Sequence, residues 1–334
     1  MITAKEIAKK LNLSEAAVSM ALHNKAGVST KTKKKVIDMA VELGYDFSRI
    51  KAHSIQPDMN GSILSVNYKK HGAVVNDTAF FSELSEYIHL FCNKFGYYTA
   101  MQYFFDDTDI ERKFEEYSAL YKGIILLATE MNSDDLKKWR KCPIPFVVLD
   151  SYHIDVPANY ITINNRQGAY LATSHLIKKS GIQPGYLQSA YPIQNFKERT
   201  EGFFKAILEN GMSAPRTVIH RLMPSVEGAY ADMTEIIKNK DRLASCYFAD
   251  NDLIAIGAMK AFKEHGFQIP KDISIIGFDD IPMSACVEPP LSSVHVPIKH
   301  LANTAVKCLA ENIQNNSRET LHIEAAAYLQ IRKS

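Results

Sequence analysis

Four short polar clusters carry the side chains best suited to gripping a small polar molecule: Asp150-Ser151, Asn164-Asn165-Arg166, Asp250-Asn251-Asp252 and Asp279-Asp280. Planar carboxylate, amide and guanidinium heads pair with adjacent hydroxyls two bonds at a time, which is how proteins hold sugars. Phe80 or Phe81 supplies a ring for the apolar face of such a ligand. Taken singly, each polar residue fits a helix N-cap or a turn as well, and Asn251 suits the cap of a helix starting at 252. The paired carboxylates also suit a general acid and base. A second chemistry sits near the start of the chain. Residues 1–60 hold 10 Lys/Arg against 6 Asp/Glu, a net charge of +4, which leaves −2 for the remainder. Lys31, Lys33, Lys34 and Lys35 head that basic end, a candidate contact for a polyanion.

Three helices must position the basic residues. Thr3 and Glu6 form a capping box for the first, whose face is Ile7, Ala8 and Leu11. Asn12 stands where the chain must turn and tolerates a left-handed backbone. Ser14 caps the second helix. Val18 and Leu22 point it inward, so Glu15, Ala16, Ser19 and Met20 face out. The third runs from about Thr30 to Leu43 on a Val36, Ile37, Ala40, Leu43 stripe and closes at Gly44. Two short helices at a tight turn plus a third make a helix-turn-helix unit. Its second helix, about nine residues and roughly 13 Å long, is slim enough for a DNA major groove ~12 Å wide. A plain three-helix cap with a solvated lysine face is the alternative.

From residue 62 onward, β-rich runs such as SILSVN, GIILL, PFVVLD, CYFAD and ISIIGFDD alternate with helical stretches. Alternation of this kind predicts parallel sheets with helices on both faces, and ten or so strands suggest two sheets. The polar clusters fall at strand ends, where ligands of such sheets bind. Dinucleotide, phosphate-loop, nucleophile-elbow and zinc-protease signatures are all missing, so no enzyme and no cofactor are expected. The five cysteines are scattered without a CxxC pair, which speaks against a metal site or a disulfide framework. No apolar run reaches the ~18 residues of a membrane span, and polar residues from Thr3 onward show no signal peptide. A cytoplasmic protein without membrane association is expected. A free-standing sugar-binding or transport protein and a sugar-modifying α/β enzyme are the rival readings.

AKEIAKKLNLSEAAVSMALHNKAGVSTKTKKKVIDMAVELGY resembles the DNA-binding headpiece of the LacI/GalR family of bacterial transcription regulators, through its VS-x-x-L, VS-x-x-T and ELGY segments. KGIILL, NNRQGAYLATSHLI, KERTEGFFKAI, ADNDLIAIGAMKAF, IPKDISIIGFDDIP and PPLSSVHVPI are similar to that family's effector domain, in order. The resemblance implies a helix-turn-helix headpiece over 1–46, a hinge over 47–61 and a two-lobed, periplasmic-binding-protein-like domain over 62–334. It places one lobe at about 62–160 plus 292–320 and the other at about 161–291 plus 321–334. DNA contacts are implied at Ser14, Glu15, Ala16, Ser19, Met20, Asn24, Ser29, Lys31 and Lys33, with Glu15, Ala16 and Met20 as base readers. Met20 stands where the family usually has arginine, so a shifted operator is expected. Ser48 would cap a hinge helix, with Ile50 or Ile55 as the minor-groove wedge, and a plain flexible linker is the alternative. Effector contacts are implied at Asp150, Arg199, Asn251 and Asp279, joined by Phe80, Asn164, Ser151 and Met223. The chain ends soon after IRKS with no leucine heptad, so a homodimer on a pseudo-palindromic double-stranded DNA operator is expected. The effector would be a small molecule of the carbohydrate class, and its binding would alter operator affinity.

Overall fold

The computed structural model describes residues 3–22, 27–43, 45, 59–75, 78–315 and 319–334. The chain divides into two units, Met1–Asn60 and Gly61–Ser334. In the first, α1 (Ala4–Leu11), α2 (Glu15–Leu22) and α3 (Thr30–Glu42) enclose a small core of Ile7, Ala8, Val18, Leu22, Val36 and Ala40. The expected capping box is present: the Thr3 side chain accepts from Glu6 N–H, and Glu6 Oε2 accepts from Thr3 N–H at 2.7 Å. Asn12 adopts φ +54, the left-handed turn that its side chain tolerates. The expected closing glycine, Gly44, and the hinge residues Ser48, Ile50 and Ile55 lie outside the described residues, as does Asn24.

The second unit opens with β1 (Ser62–Lys69), α4 (Ala79–Lys94), β2 (Tyr98–Phe105), α5 (Phe114–Leu120), β3 (Gly123–Leu127), α6 (Ser133–Lys138), β4 (Phe146–Leu149) and β5 (Asn159–Ile163). It continues through α7 (Asn165–Ser180), β6 (Gly185–Ser189), α8 (Gln194–Glu209), β7 (Ile219–Leu222), α9 (Val226–Lys238), β8 (Cys246–Ala249) and α10 (Asp252–Glu264). The last elements are β9 (Ser274–Asp279), α11 (Pro282–Cys286), β10 (Ser292–His295), α12 (Ile298–Asn315), β11 (His322–Ala325) and β12 (Tyr328–Gln330). They form two six-stranded sheets, ordered β11-β5-β4-β3-β1-β2 and β12-β10-β9-β8-β6-β7. Every pairing is parallel except β10 with β12. Central strands read as unbroken apolar runs, GIILL and FVVL among them, because helices cover both faces. Among the described residues, no helix is long and apolar enough to cross a membrane.

Strand membership shifts the expected lobe limits. β5 extends the first sheet to Ile163, so the passage falls at Asn164 rather than 161. β10 belongs to the second sheet, and the chain returns to the first only with α12, which packs on α4, β3, β4 and β5. β11 then pairs with β5 before β12 crosses back, so residues 321–325 also belong to the first lobe. SSVH and HIEA are four-residue strands with little apolar periodicity, which is why their sheet was not legible.

Helices α7 and α8 pack unusually close. A Cβ on Gly202 would lie 2.2 Å from the backbone oxygen of Arg166. That approach sets the height of α8, which carries the functional residues described below. Gly202→Ala gains about 1 kcal/mol of helix propensity but forces the two backbones apart, so we expect a net loss of about 2 kcal/mol. Urea denaturation should show a lower midpoint at unchanged slope; a midpoint equal to wild type would mean the helices slide apart freely.

Candidate functional site

On the helix-turn-helix unit, Glu15, Ala16 and Ser19 are exposed on α2, opposite the buried Val18 and Leu22. Ser14 accepts from Ala17 N–H at 3.1 Å and so caps α2, while Ser29 accepts from Thr32 N–H at 3.2 Å at the start of α3. Both are exposed; Lys31 is exposed and Lys33 half-buried. Met20 departs from the expected outward pose. It is half-buried, and a methyl placed on Gly27 would sit 3.6 Å from its Sδ. Its thioether therefore lies beside Gly27, leaving only part of the side chain at the surface.

In the second unit, residues after the carboxyl ends of the strands converge on one cavity between the two sheets. Phe80, Phe81, Thr129 and Asp150 come from the first lobe, and Asn195, Arg199, Asn251 and Asp279 from the second. Arg199 on α8 is 3% exposed, and each of its three nitrogens donates a hydrogen bond. Its Nε donates to Asn165 Oδ1 at 2.9 Å, one terminal nitrogen donates to the Asp250 carbonyl, and the other reaches Asp279 Oδ1 at 3.3 Å. The guanidinium lies 3.6 Å from the centroid of the Phe278 ring. Asp150 accepts from Thr129 Oγ1 at 2.6 Å and from Asn195 Nδ2 at 3.0 Å, the latter bond joining the two lobes. Asp150 and Asp279 hold φ of +65° and +105°, backbone shapes that are strained for a side chain and concentrate at binding sites.

Asn251 does both things the sequence left open: its Oδ1 caps α10 by accepting from Ile254 N–H at 2.9 Å, and it also lines the cavity. Three expected contacts are not brought there. Ser151 is fully buried and bonds His153 Nε2 at 3.1 Å. Asn164 caps α7 through Gln167 N–H at 2.9 Å. Met223 packs its Cβ toward Gly228, and its N–H donates to Asp232 at 2.8 Å. Local capping and turn bonds claim Ser151 and Asn164, the role that such residue types most often fill. Asn195 and Thr129 were missed. Asn195 stands four residues before Arg199 on one helix face, so spacing alone would have pointed to it.

The cavity encloses about 40 Å³, room for a few waters and well below the roughly 300–1,000 Å³ of ligand pockets. A sugar enters only if the lobes part or side chains such as Asn195 withdraw. Arg199 is the only cation among the described lining residues, against Asp150, Asp252 and Asp279. Burial pushes Asp150 up to about 6, with the Thr129 bond and Arg199 opposing the rise. Burial likewise raises Asp252 to about 7 against its bonds to Ser284 and Ser293. Asp279 rises too, by burial, with Arg199 pulling it down and the neighbouring carboxylates pushing it up. A carboxyl that holds its proton longer when folded stabilises the fold below its unfolded value and loses that contribution as pH rises through its folded value. The stability of Asp150→Asn relative to wild type should therefore climb between about pH 4 and 6 and stay flat above. Paired denaturation curves measure this, and a pH-independent difference would contradict it.

Residues 3–47 match the family model for bacterial regulatory proteins of the lacI family, and residues 175–334 match the periplasmic binding protein-like domain. The HTH-type transcriptional repressor PurR of Pasteurella multocida (strain Pm70) is 30% identical over 341 residues, covering 100% of this chain and 98% of that protein. The HTH-type transcriptional regulator GalS of Salmonella typhimurium is 29% identical over 313 residues, 92% of this chain and 88% of that protein. Among solved structures, a LacI family transcriptional regulator from Enterococcus faecium with bound ribose superposes with a TM-score of 0.70 at 27% identity, covering 82% of this chain and 98% of that one. The chain belongs to the lacI family of bacterial regulatory proteins.

Proposed function

We propose that this protein is an operator-binding transcriptional repressor whose DNA affinity is set by a small molecule held between its two lobes. The observation that carries the reading is the union, in one chain, of an exposed α2 face (Glu15, Ala16, Ser19) with a cleft whose Asp150, Arg199 and Asp279 come from different lobes. Lys31 and Lys33 on α3 suit phosphate contacts, which position a reader without conferring sequence preference. It acts in the cytoplasm, where operator DNA resides. Dimerisation fits the edge strand β2, whose exposed Met101, Tyr103 and Phe105 share one face as an apolar row of the kind that partners cover.

The chemistry of the cleft supports a carbohydrate as the effector. With Arg199 already bonded to Asp279, the described lining residues offer no free cation to hold a phosphorylated or carboxylated ligand, while Asp, Asn and Arg heads beside Phe80 suit an uncharged sugar. Ribose bound to the Enterococcus faecium relative is consistent with a ligand of this polarity. The rule of linkage requires that sugar and operator alter each other's affinity by the same factor, typically 5–150-fold or about 1–3 kcal/mol.

Fluorescence anisotropy with the protein's own upstream DNA tests the reading. Salt-sensitive binding that D-ribose, D-galactose or cellobiose weakens is expected; DNA binding absent at low salt would overturn it. Arg199→Lys, which keeps a buried cation but loses the planar guanidinium fork, should weaken the sugar response at least about tenfold in a variant whose thermal melt shows it folded, whereas a normal response would remove Arg199 from the effector contacts. Met20→Arg adds a bidentate guanine reader and should shift preference at one base by about 1–3 kcal/mol in a randomised-operator selection. An unchanged profile would take Met20 out of the base-reading set.

A further inference from the structure

The segment that leaves β1, Lys70 to Val75, joins neither helix nor strand, so its backbone N–H groups must find partners elsewhere. Five of them converge on one side chain. Glu130 Oε2 accepts from the N–H of Lys70, His71 and Gly72 at 2.7, 2.8 and 3.0 Å, and Oε1 accepts from Val74 and Val75, each at 2.8 Å. Gly72, at φ +61°, lets successive N–H groups turn toward one point. Arcs of this kind bind phosphate or carboxylate from solution; here the chain supplies the anion itself. Glu130 is 4% exposed. Burial works to raise its carboxyl, yet the N–H donors outweigh it and hold it below the usual range, so the buried group stays ionised.

One end of the arc reaches the effector cavity. Val74 lines the cavity wall, and the His71 ring lies 5.6 Å from that of Tyr191 on the opposite lobe. Thr129, the residue before Glu130, is the one that bonds Asp150. One dipeptide after β3 thus orients both a cleft carboxylate and the loop beside it.

We propose that Glu130 is a positioning residue of the effector cleft, a built-in anion that fixes the 70–75 arc and with it the Val74 wall and the His71–Tyr191 contact between lobes. The cleft part of this inference rests on the effector reading above; the clamp itself does not.

Amide hydrogen exchange on the full chain tests it. In Glu130→Ala the amides of residues 70–75 should exchange at least about tenfold faster while β1 and β3 remain protected. Sodium acetate should restore protection by filling the emptied arc, and neutral acetamide should not. Unchanged exchange, an equal rise throughout the first sheet, or identical effects of acetate and acetamide would each overturn the proposal. If that variant fails to fold, Glu130→Gln puts amide hydrogens against the N–H donors and should expose the same amides; wild-type exchange there would overturn it equally. A thermal scan of wild type with D-ribose, D-galactose and cellobiose keeps the two readings apart. No stabilisation by any of them counts against the sugar cleft, while the exchange data still decide the clamp.

Discussion

A buried guanidinium costs several kcal/mol unless every donor finds an acceptor, and Arg199 imposes that condition on its surroundings. Asn165 at the start of α7, the Asp250 carbonyl after β8 and Asp279 at the end of β9 are all held in place by one cation. Phe278 supports it from below through its ring face. Asp250 is itself tied to Tyr186 at 2.5 Å and to Ser189 N–H at 2.7 Å, so β6 joins the same network. The architecture of the second lobe around the cleft is therefore a solution to one electrostatic requirement. The same side chain that organises the lobe is the one offered to a ligand.

This arrangement makes the cleft a competitor for its own polar groups. Asp150 spends its acceptors on Thr129 and Asn195, and Asn195 belongs to the other lobe. A ligand hydroxyl that displaces Asn195 from Asp150 breaks a bond between lobes, so occupancy at that oxygen is coupled to lobe spacing. That is the differential contact that any coupling between two sites requires.

Much of this was readable from residue order, and the failures have a common cause. The headpiece was legible because its signals are local: a capping box at Thr3 and Glu6, a left-handed Asn12, and stripes that ended as the buried Ile7, Val18, Leu22 and Val36. Asp150, Asn251 and Asp279 were legible because strand ends mark them. Ser151 and Asn164 lie off the cavity because their side chains serve a local bond to His153 and the cap of α7, and Met223 because it packs beside Gly228; sequence does not say which partner wins. Glu130 left no trace, since its five partners are backbone groups some 55 to 60 residues distant that any sequence would present. β10 and β11 were too short for periodicity to assign to a sheet.

The backbone passes between the lobes three times, after β5, after β10 and after β11. Neither lobe is a contiguous piece of the gene, so no simple truncation isolates one. Three tethers also resist twisting in a way that a single strand would not, steering the lobes toward a common hinge axis. A cut in any one tether would leave two others carrying the connection, a mechanical redundancy that lets the molecule flex without coming apart.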